Sequence, residues 1–184
     1  MVLMKSGEHL KIGQKAPNFS LTGADNKIYT LDDFSEANAL VVIFMCNHCP
    51  YVIAKISAMN SLYNTYRPRK VEFVGINSNN NPSYPEDSFE NMQEFAKKSN
   101  IRFPYLFDGS QKVAKDYGAV CTPDPFVFDA SMSLAYHGRF DDATSPDKQP
   151  TTSDLADALD DILVGKLVRK NFLPSMGCSI KWRE

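Results

Sequence analysis

Apolar positions along this chain change their period several times, and each change marks an element. Phe19 and Leu21 alternate with polar neighbours, Ile28 and Tyr29 do so less cleanly, and TGADN lies between the two pairs, which predicts a hairpin. ALVVIFM (39–45) is a continuous apolar run rich in β-branched residues, as expected of a strand buried on both faces at the centre of an α/β sheet. After Pro50, the residues Val52, Ile53, Ile56, Met59 and Tyr63 recur at helical spacing. Proline suits the first helical turn, where its missing N–H costs little, and Arg67-Pro68 closes the helix.

VEFVGIN (71–77) reads as a second buried strand. Asp87 and Glu90 have the spacing of a capping box for a helix carrying Phe89, Met92 and Phe95. FPYLFD leads to a short helix with Val113, Ala114 and Tyr117 on one face and Gly118 as its stop. PFVFD (125–129) and LAYHGRF (134–140) read as adjacent strands joined by ASMS. Ser153 precedes a last helix carrying Leu155, Leu159, Ile162 and Leu163, stopped at Gly165. Two polar loops, 77–87 and 140–154, are too short to separate domains, so a single domain over 1–184 is expected, with a leader (1–12) and a C-terminal tail (168–184). The order is hairpin, β, α, β, α, α, β, β, α, which predicts a mixed central sheet flanked by helices.

Composition narrows the function classes. The chain has 184 residues, 43% hydrophobic and 23% charged, with a formal net charge of −2. That balance offers no electrostatic footprint for nucleic acid or an anionic membrane. The opening segment lacks the apolar core of a secretory signal, and no stretch approaches the roughly 18 apolar residues of a membrane span. A soluble protein is expected, cytoplasmic if the source is bacterial.

Chemistry concentrates at IFMCNHCPYV (43–52), where Cys46 and Cys49 stand between the central strand and the first long helix. In open α/β sheets, sites lie at the carboxyl ends of strands. A helix start stabilises an anion, so the pKa of Cys46 is expected to fall, and its thiolate to act as a nucleophile. Cys49, one turn along, would act second. His48 is expected to offer a hydrogen bond or positive charge to Cys46, which would favour the reduced form and tilt the couple toward oxidation. Asn47 is uncharged and can cap or bond locally.

These residues resemble the thioredoxin fold. FMCNHCPYV, CTPDPFVFD, GRFDD and GCSIKW, together with the opening GQKAPNFSLTGADNKIYTLDDF, resemble the redoxin (AhpC/TSA) superfamily, in its peroxiredoxin-like subgroup that carries a thioredoxin-type CxxC. The likeness spans about Gly13 to Trp182. It implies an α/β thioredoxin fold with an N-terminal β-hairpin extension. It also implies a cis-proline opposite the CxxC, which places Thr122-Pro123 there, with the Thr122 backbone open to strand-like pairing with a substrate peptide; Pro125 fits less well.

The same pattern breaks at four positions. Peroxiredoxins carry Pro and a Thr or Ser ahead of the reactive cysteine, where this chain has Ala39 and Ile43. An arginine is expected near the thiolate; Arg139 is the better candidate and Arg102 the poorer. Thioredoxin has a Trp before its first cysteine and a buried Asp six residues upstream, where this chain has Met45 and Leu40. Glu72 replaces that acid only if it points inward.

Plainer roles compete for the remaining residues. The pair could be half of a zinc site completed by Cys121, Cys178 or His48, although one pair plus two single cysteines lacks the two-pair pattern of structural zinc. Cys121 reads as a small buried hydrophobe or a third redox thiol. Cys178 reads as inert or as a resolving thiol in a partner subunit. His137 reads as a strand-filling or surface residue, His9 takes no role, and Arg139 could pair with Asp141 or Asp142.

The expected function is thiol–disulfide exchange on protein or small-molecule disulfides, with Cys46 attacking and Cys49 resolving. No cofactor or metal is expected, the electron donor is an unidentified thiol, and no nucleic-acid or membrane partner is expected. A thiol-dependent peroxidase with the same two cysteines, and a non-enzymatic redox-sensing module, are the alternatives.

Overall fold

The computed structural model describes residues 2–183. Its elements in chain order are β1 (Leu3–Lys5), β2 (Ser20–Gly23), β3 (Ile28–Thr30), β4 (Ala39–Phe44), α1 (Pro50–Ile53), α2 (Ile56–Tyr66), β5 (Val71–Asn77), α3 (Phe89–Lys98), β6 (Tyr105–Phe107), α4 (Lys112–Tyr117), β7 (Cys121–Thr122), β8 (Asp124–Asp129), β9 (Leu134–Gly138), α5 (Asp154–Leu163), β10 (Phe172–Leu173) and β11 (Met176–Ser179). Among the described residues, eight strands form one mixed sheet in the order β10-β9-β8-β4-β5-β6-β2-β3. A second sheet of three strands runs β1-β11-β7.

Strand β4 is the middle of the large sheet, parallel to β5 and antiparallel to β8. Its six residues are all buried because both faces are covered, which is why the sequence there does not alternate. Ala39, Val41 and Ile43 face a core built with Val52, Met59, Tyr63, Leu155 and Leu159. Leu40, Val42 and Phe44 face the other core, with Val113, Tyr117, Phe126 and Phe128. The hairpin forms as expected, with Leu21 opposite Tyr29, and it joins the sheet edge through β6.

Three expectations at helix ends are corrected. The helix after Pro50 is not continuous: α1 ends at Ile53 and α2 begins at Ile56, leaving Ile53 exposed. Asp87 is not the cap of α3. Ser88 is, its side chain accepting from the Asn91 N–H at 3.3 Å, while Asp87 turns inward and is buried. Ser153 occupies the N-cap position of α5 but makes no side-chain capping bond.

The leader and tail, which carry no clear period, pair with each other. β1 lies antiparallel to β11, and β11 lies antiparallel to β7, with Cys178 opposite Thr122. Polar bonds hold this arrangement. Ser6 N–H donates to Ser175 O at 3.0 Å, and Ser175 N–H donates to Ser6 Oγ at 2.8 Å. The Asn-rich loop clamps the far end: Lys181 N–H donates to Asn79 Oδ1 at 2.9 Å, and Asn81 Nδ2 donates to Trp182 O at 2.7 Å. Gln111 Nε2 donates to Lys181 O at 2.9 Å. Asparagine and glutamine suit this work because one amide both donates and accepts. No helix among the described residues is long and apolar enough to cross a membrane.

Candidate active site: a buried thiol cluster beside Thr122

Strand β4 ends at Phe44, and Cys46 and Cys49 follow at its carboxyl end, both buried. The peptide bond between Thr122 and Pro123 is cis, at the position the family resemblance assigned. Thr122 meets both cysteines. Its Oγ1 lies 3.5 Å from Cys46 Sγ, and its carbonyl accepts from Cys49 Sγ at 3.3 Å. Cys178, carried by β11, places its Sγ 2.9 Å from Cys49 Sγ, within hydrogen-bonding distance, and is buried as well. The tail cysteine expected to be inert, or to serve a partner subunit, thus reaches the CxxC of its own chain.

Cys49 is the centre of this cluster, and the electrostatics follow from that. Thiol donors from Cys178 and Cys46 pull its pKa far below the ordinary thiol value. Cys46 moves the other way: it donates to Cys49, it is buried, and it faces the Asp87 carboxylate. Cys178 is raised because it donates to Cys49 and because it is buried. The expectation of a lowered Cys46 pKa is therefore corrected. The helix start behind it has only four residues, Cys49 rather than Cys46 holds its N-cap, and Asp87 opposes a thiolate at Cys46.

The linker residues also turn elsewhere. His48 spends its Nδ1 bond on Asp87 Oδ2, at 2.6 Å, rather than on the Cys46 sulfur, and this raises the His48 pKa. Asn47 does not bond locally. Its N–H donates to Asp87 Oδ1 at 2.8 Å, its Nδ2 to Glu86 O at 2.9 Å, and its Oδ1 accepts from Tyr105 OH at 2.9 Å. Asp87 also accepts from Asn79 Nδ2 at 2.7 Å. This buried carboxylate ties the CxxC linker to the Asn-rich loop, and no spacing in the sequence marked it as anything but a helix cap. Tyr84 completes the tie, stacked on His48 with ring centroids 5.5 Å apart and lying 5.2 Å below the Lys181 ammonium.

Cys46, His48 and Asp87 place donor atoms within 4.8 Å of one another, a grouping that could hold a metal ion. The hydrogen bonds already described engage both oxygens of Asp87 and the Nδ1 of His48.

Other candidates fall outside the cluster. Cys121 is buried in β7, its pKa pushed up by burial and by the neighbouring Asp124 and Cys49 charges. Arg139 pairs with neither Asp141 nor Asp142; its Nε donates to Asp154 Oδ2 at 2.7 Å, while Asp141 pairs with Lys55 at 2.6 Å. Arg102 lines a separate cleft with Tyr29, Phe103 and Gln93. Glu72 lies beside Tyr63, away from the thiols. His137 is buried and strand-filling, bonded to Asp124 at 3.0 Å and stacked on Phe126 at 3.9 Å. A cavity of about 160 Å³ opens next to Pro123, lined by Lys5, Lys55, Arg139, Asp141 and Met176.

The family model for the AhpC/TSA family matches residues 12–137, and the chain belongs to that family. It is 26% identical over 122 residues to the thiol-disulfide oxidoreductase ResA of Bacillus thuringiensis, a match covering 66% of this chain and 66% of that protein. It is 26% identical over 106 residues to a chloroplastic peroxiredoxin Q of rice, covering 58% of this chain and 45% of that one.

Among solved structures, an uncharacterized conserved protein from Geobacillus kaustophilus aligns with a TM-score of 0.92 and 41% identity, over 99% of this chain and 97% of that one. The thioredoxin domain of a thiol-disulfide oxidoreductase from Bacteroides vulgatus aligns with a TM-score of 0.60 at 14% identity, over 70% and 88%. The architecture is the thioredoxin fold, and the relatives matched within the family are a thiol-disulfide oxidoreductase and a peroxiredoxin.

Proposed function

We propose that the protein is a thiol–disulfide oxidoreductase whose working dithiol is Cys46–Cys49. The observation that carries this is the meeting of both sulfurs with one residue, Thr122, through its hydroxyl and its carbonyl. Cys49 is hemmed in by the Thr122 carbonyl and by Cys178, which leaves Cys46 to meet substrate. Cys46 attacks one sulfur of a substrate disulfide and passes its proton toward Cys49, the cluster's low-pKa sulfur; one substrate thiolate leaves. Cys49 then passes that proton to the released substrate thiolate and attacks Cys46 Sγ; the second substrate thiolate leaves and takes a proton from solvent, and the Cys46–Cys49 disulfide remains. Overall, two enzyme thiols and one substrate disulfide become one enzyme disulfide and two substrate thiols.

The direction proposed is reduction of substrate disulfides: His48 spends its Nδ1 bond on Asp87 rather than on the Cys46 sulfur, so the oxidising tilt expected of it is not supplied. A reduction potential near the thioredoxin value of about −270 mV is expected, rather than the oxidant value of about −120 mV.

A second activity has one observation in its favour. The Thr122 hydroxyl beside Cys46 supplies a polar group that Ala39 and Ile43, both buried in β4, do not. It supports Cys46 as a peroxide-attacking thiol that becomes a sulfenic acid, resolved by Cys49 with loss of water.

One experiment addresses both. The purified protein is assayed for reduction of a small disulfide and of hydrogen peroxide, each with a thiol donor. Cys46→Ser should bring disulfide turnover to background. Disulfide turnover in the wild type no faster than in Cys46→Ser would end the oxidoreductase reading, and an equal peroxide rate would end the peroxidase reading alone.

A further inference from the structure

We propose that Cys178 is a third redox thiol, and that strand β11 lies on the Thr122 edge as a built-in substrate strand which exchanges disulfides with Cys49. This rests on the thiol–disulfide reading above and names a step that follows it. Three independent features converge. Cys178 Sγ lies 2.9 Å from Cys49 Sγ with both residues buried, so the two sulfurs meet with little room for water. Cys178 pairs directly opposite Thr122, so the tail occupies the backbone edge expected to receive a substrate peptide. Gly177 permits the approach: a Cβ there would lie 1.9 Å from the Thr122 carbonyl oxygen.

The tail is also held on both sides of Cys178. Ser175 is tied to Ser6, and Lys181 to Asn79 and Gln111. Holding the reacting atoms this way makes exchange intramolecular and removes the entropy cost of an encounter.

The step balances without an added oxidant. After substrate has been reduced, Cys178 attacks Cys49 Sγ of the Cys46–Cys49 disulfide. The Cys49–Cys178 bond forms, the Cys46–Cys49 bond breaks, and the proton given up by Cys178 ends on Cys46. The two-electron oxidation moves from one pair to the other. Cys46 returns as a free thiol while the chain stays oxidised, and an external thiol donor is then needed to reduce Cys49–Cys178.

The test is disulfide mapping. Wild type, Cys46→Ser and Cys178→Ser are equilibrated with oxidised and reduced glutathione, trapped with an alkylating agent, digested and read by mass spectrometry. The expected result is a predominant Cys49–Cys178 cross-link in the wild type with Cys46 alkylated. Cys46→Ser should keep that cross-link in full, and Cys178→Ser should shift wholly to Cys46–Cys49. A wild type that yields only Cys46–Cys49, with no intramolecular disulfide in Cys46→Ser, overturns the third thiol and leaves the dithiol reading standing. A wild type with no intramolecular disulfide overturns both. Because the Cys46→Ser arm keeps Cys178 intact, the result does not depend on how Cys178→Ser folds.

Discussion

Strands β4 and β11 both deliver cysteines to one cluster, and they are held by opposite means. β4 is clamped by apolar surface on two faces and by ladders to β5 and β8. β11 is short, has only partial cover at Met176 and Ser179, and is fixed by backbone pairing and side-chain amides. Apolar burial resists any loss of volume and tolerates salt and pH. A hydrogen-bonded strap depends on a few geometries and can be released locally without unfolding the core. The protein thus has a rigid side that presents Cys46 and Cys49 and a conditional side that presents Cys178.

The largest effect should come from the rigid side. Phe44→Ala removes a fully buried ring packed edge-on against Tyr117 and Phe126, and about 3–5 kcal/mol of stability should be lost in urea unfolding. A much smaller loss would mean that β4 is not the dominant anchor.

Gly177→Ala acts on the strap. The added methyl group meets the Thr122 carbonyl, so about 1–3 kcal/mol is expected, together with faster alkylation of Cys49 as β11 lifts. Unchanged alkylation would show that the strap does not guard the cluster.

Asp87→Asn acts where the two sides join. It removes the carboxylate that accepts from Asn47, His48 and Asn79, with an expected cost of about 1–3 kcal/mol. It also takes away a negative charge that helps hold the Cys46 pKa up, so pH-dependent alkylation of Cys46 should shift to lower pH. A shift to higher pH would mean that Asp87 acts through His48 instead.

The smallest effect is the pH dependence of the His48–Asp87 pair. Bonding to Asp87 raises the folded His48 pKa above its unfolded value of about 6.5. The stabilisation is therefore complete below about pH 6.5 and is lost as pH rises through the folded value. His48→Gln should flatten the stability profile in that window and leave the acid side unchanged in slope. Because His48 is partly exposed, solvent screening keeps the effect modest.

Much of the rigid side was legible from residue order. The unbroken apolar run at 39–45, rich in β-branched residues, reads as a strand covered on both faces, and Pro50 after Cys49 marks the helix start that follows it. Those local signals place Cys46 and Cys49 at a strand-to-helix junction. The tie between the CxxC linker and the Asn-rich loop was not legible. Asp87, His48 and Asn47 are polar residues without periodicity, and their bonds join segments some 40 positions apart.

The sequence by itself determined the strand–CxxC–helix element, the alternation that covers the sheet, and the position of Thr122 beside a proline. These depend on period, side-chain volume and backbone restriction, which are properties of neighbouring residues. Only the tertiary structure decided which sulfur meets which. It brought Cys178 against Cys49 across 129 positions, where the neighbouring Cys178 and Cys46 thiols lower the Cys49 pKa, and it set the Asp87 carboxylate near Cys46. Protonation and sulfur pairing depend on distance and burial in space, and a linear pattern of residue types encodes neither.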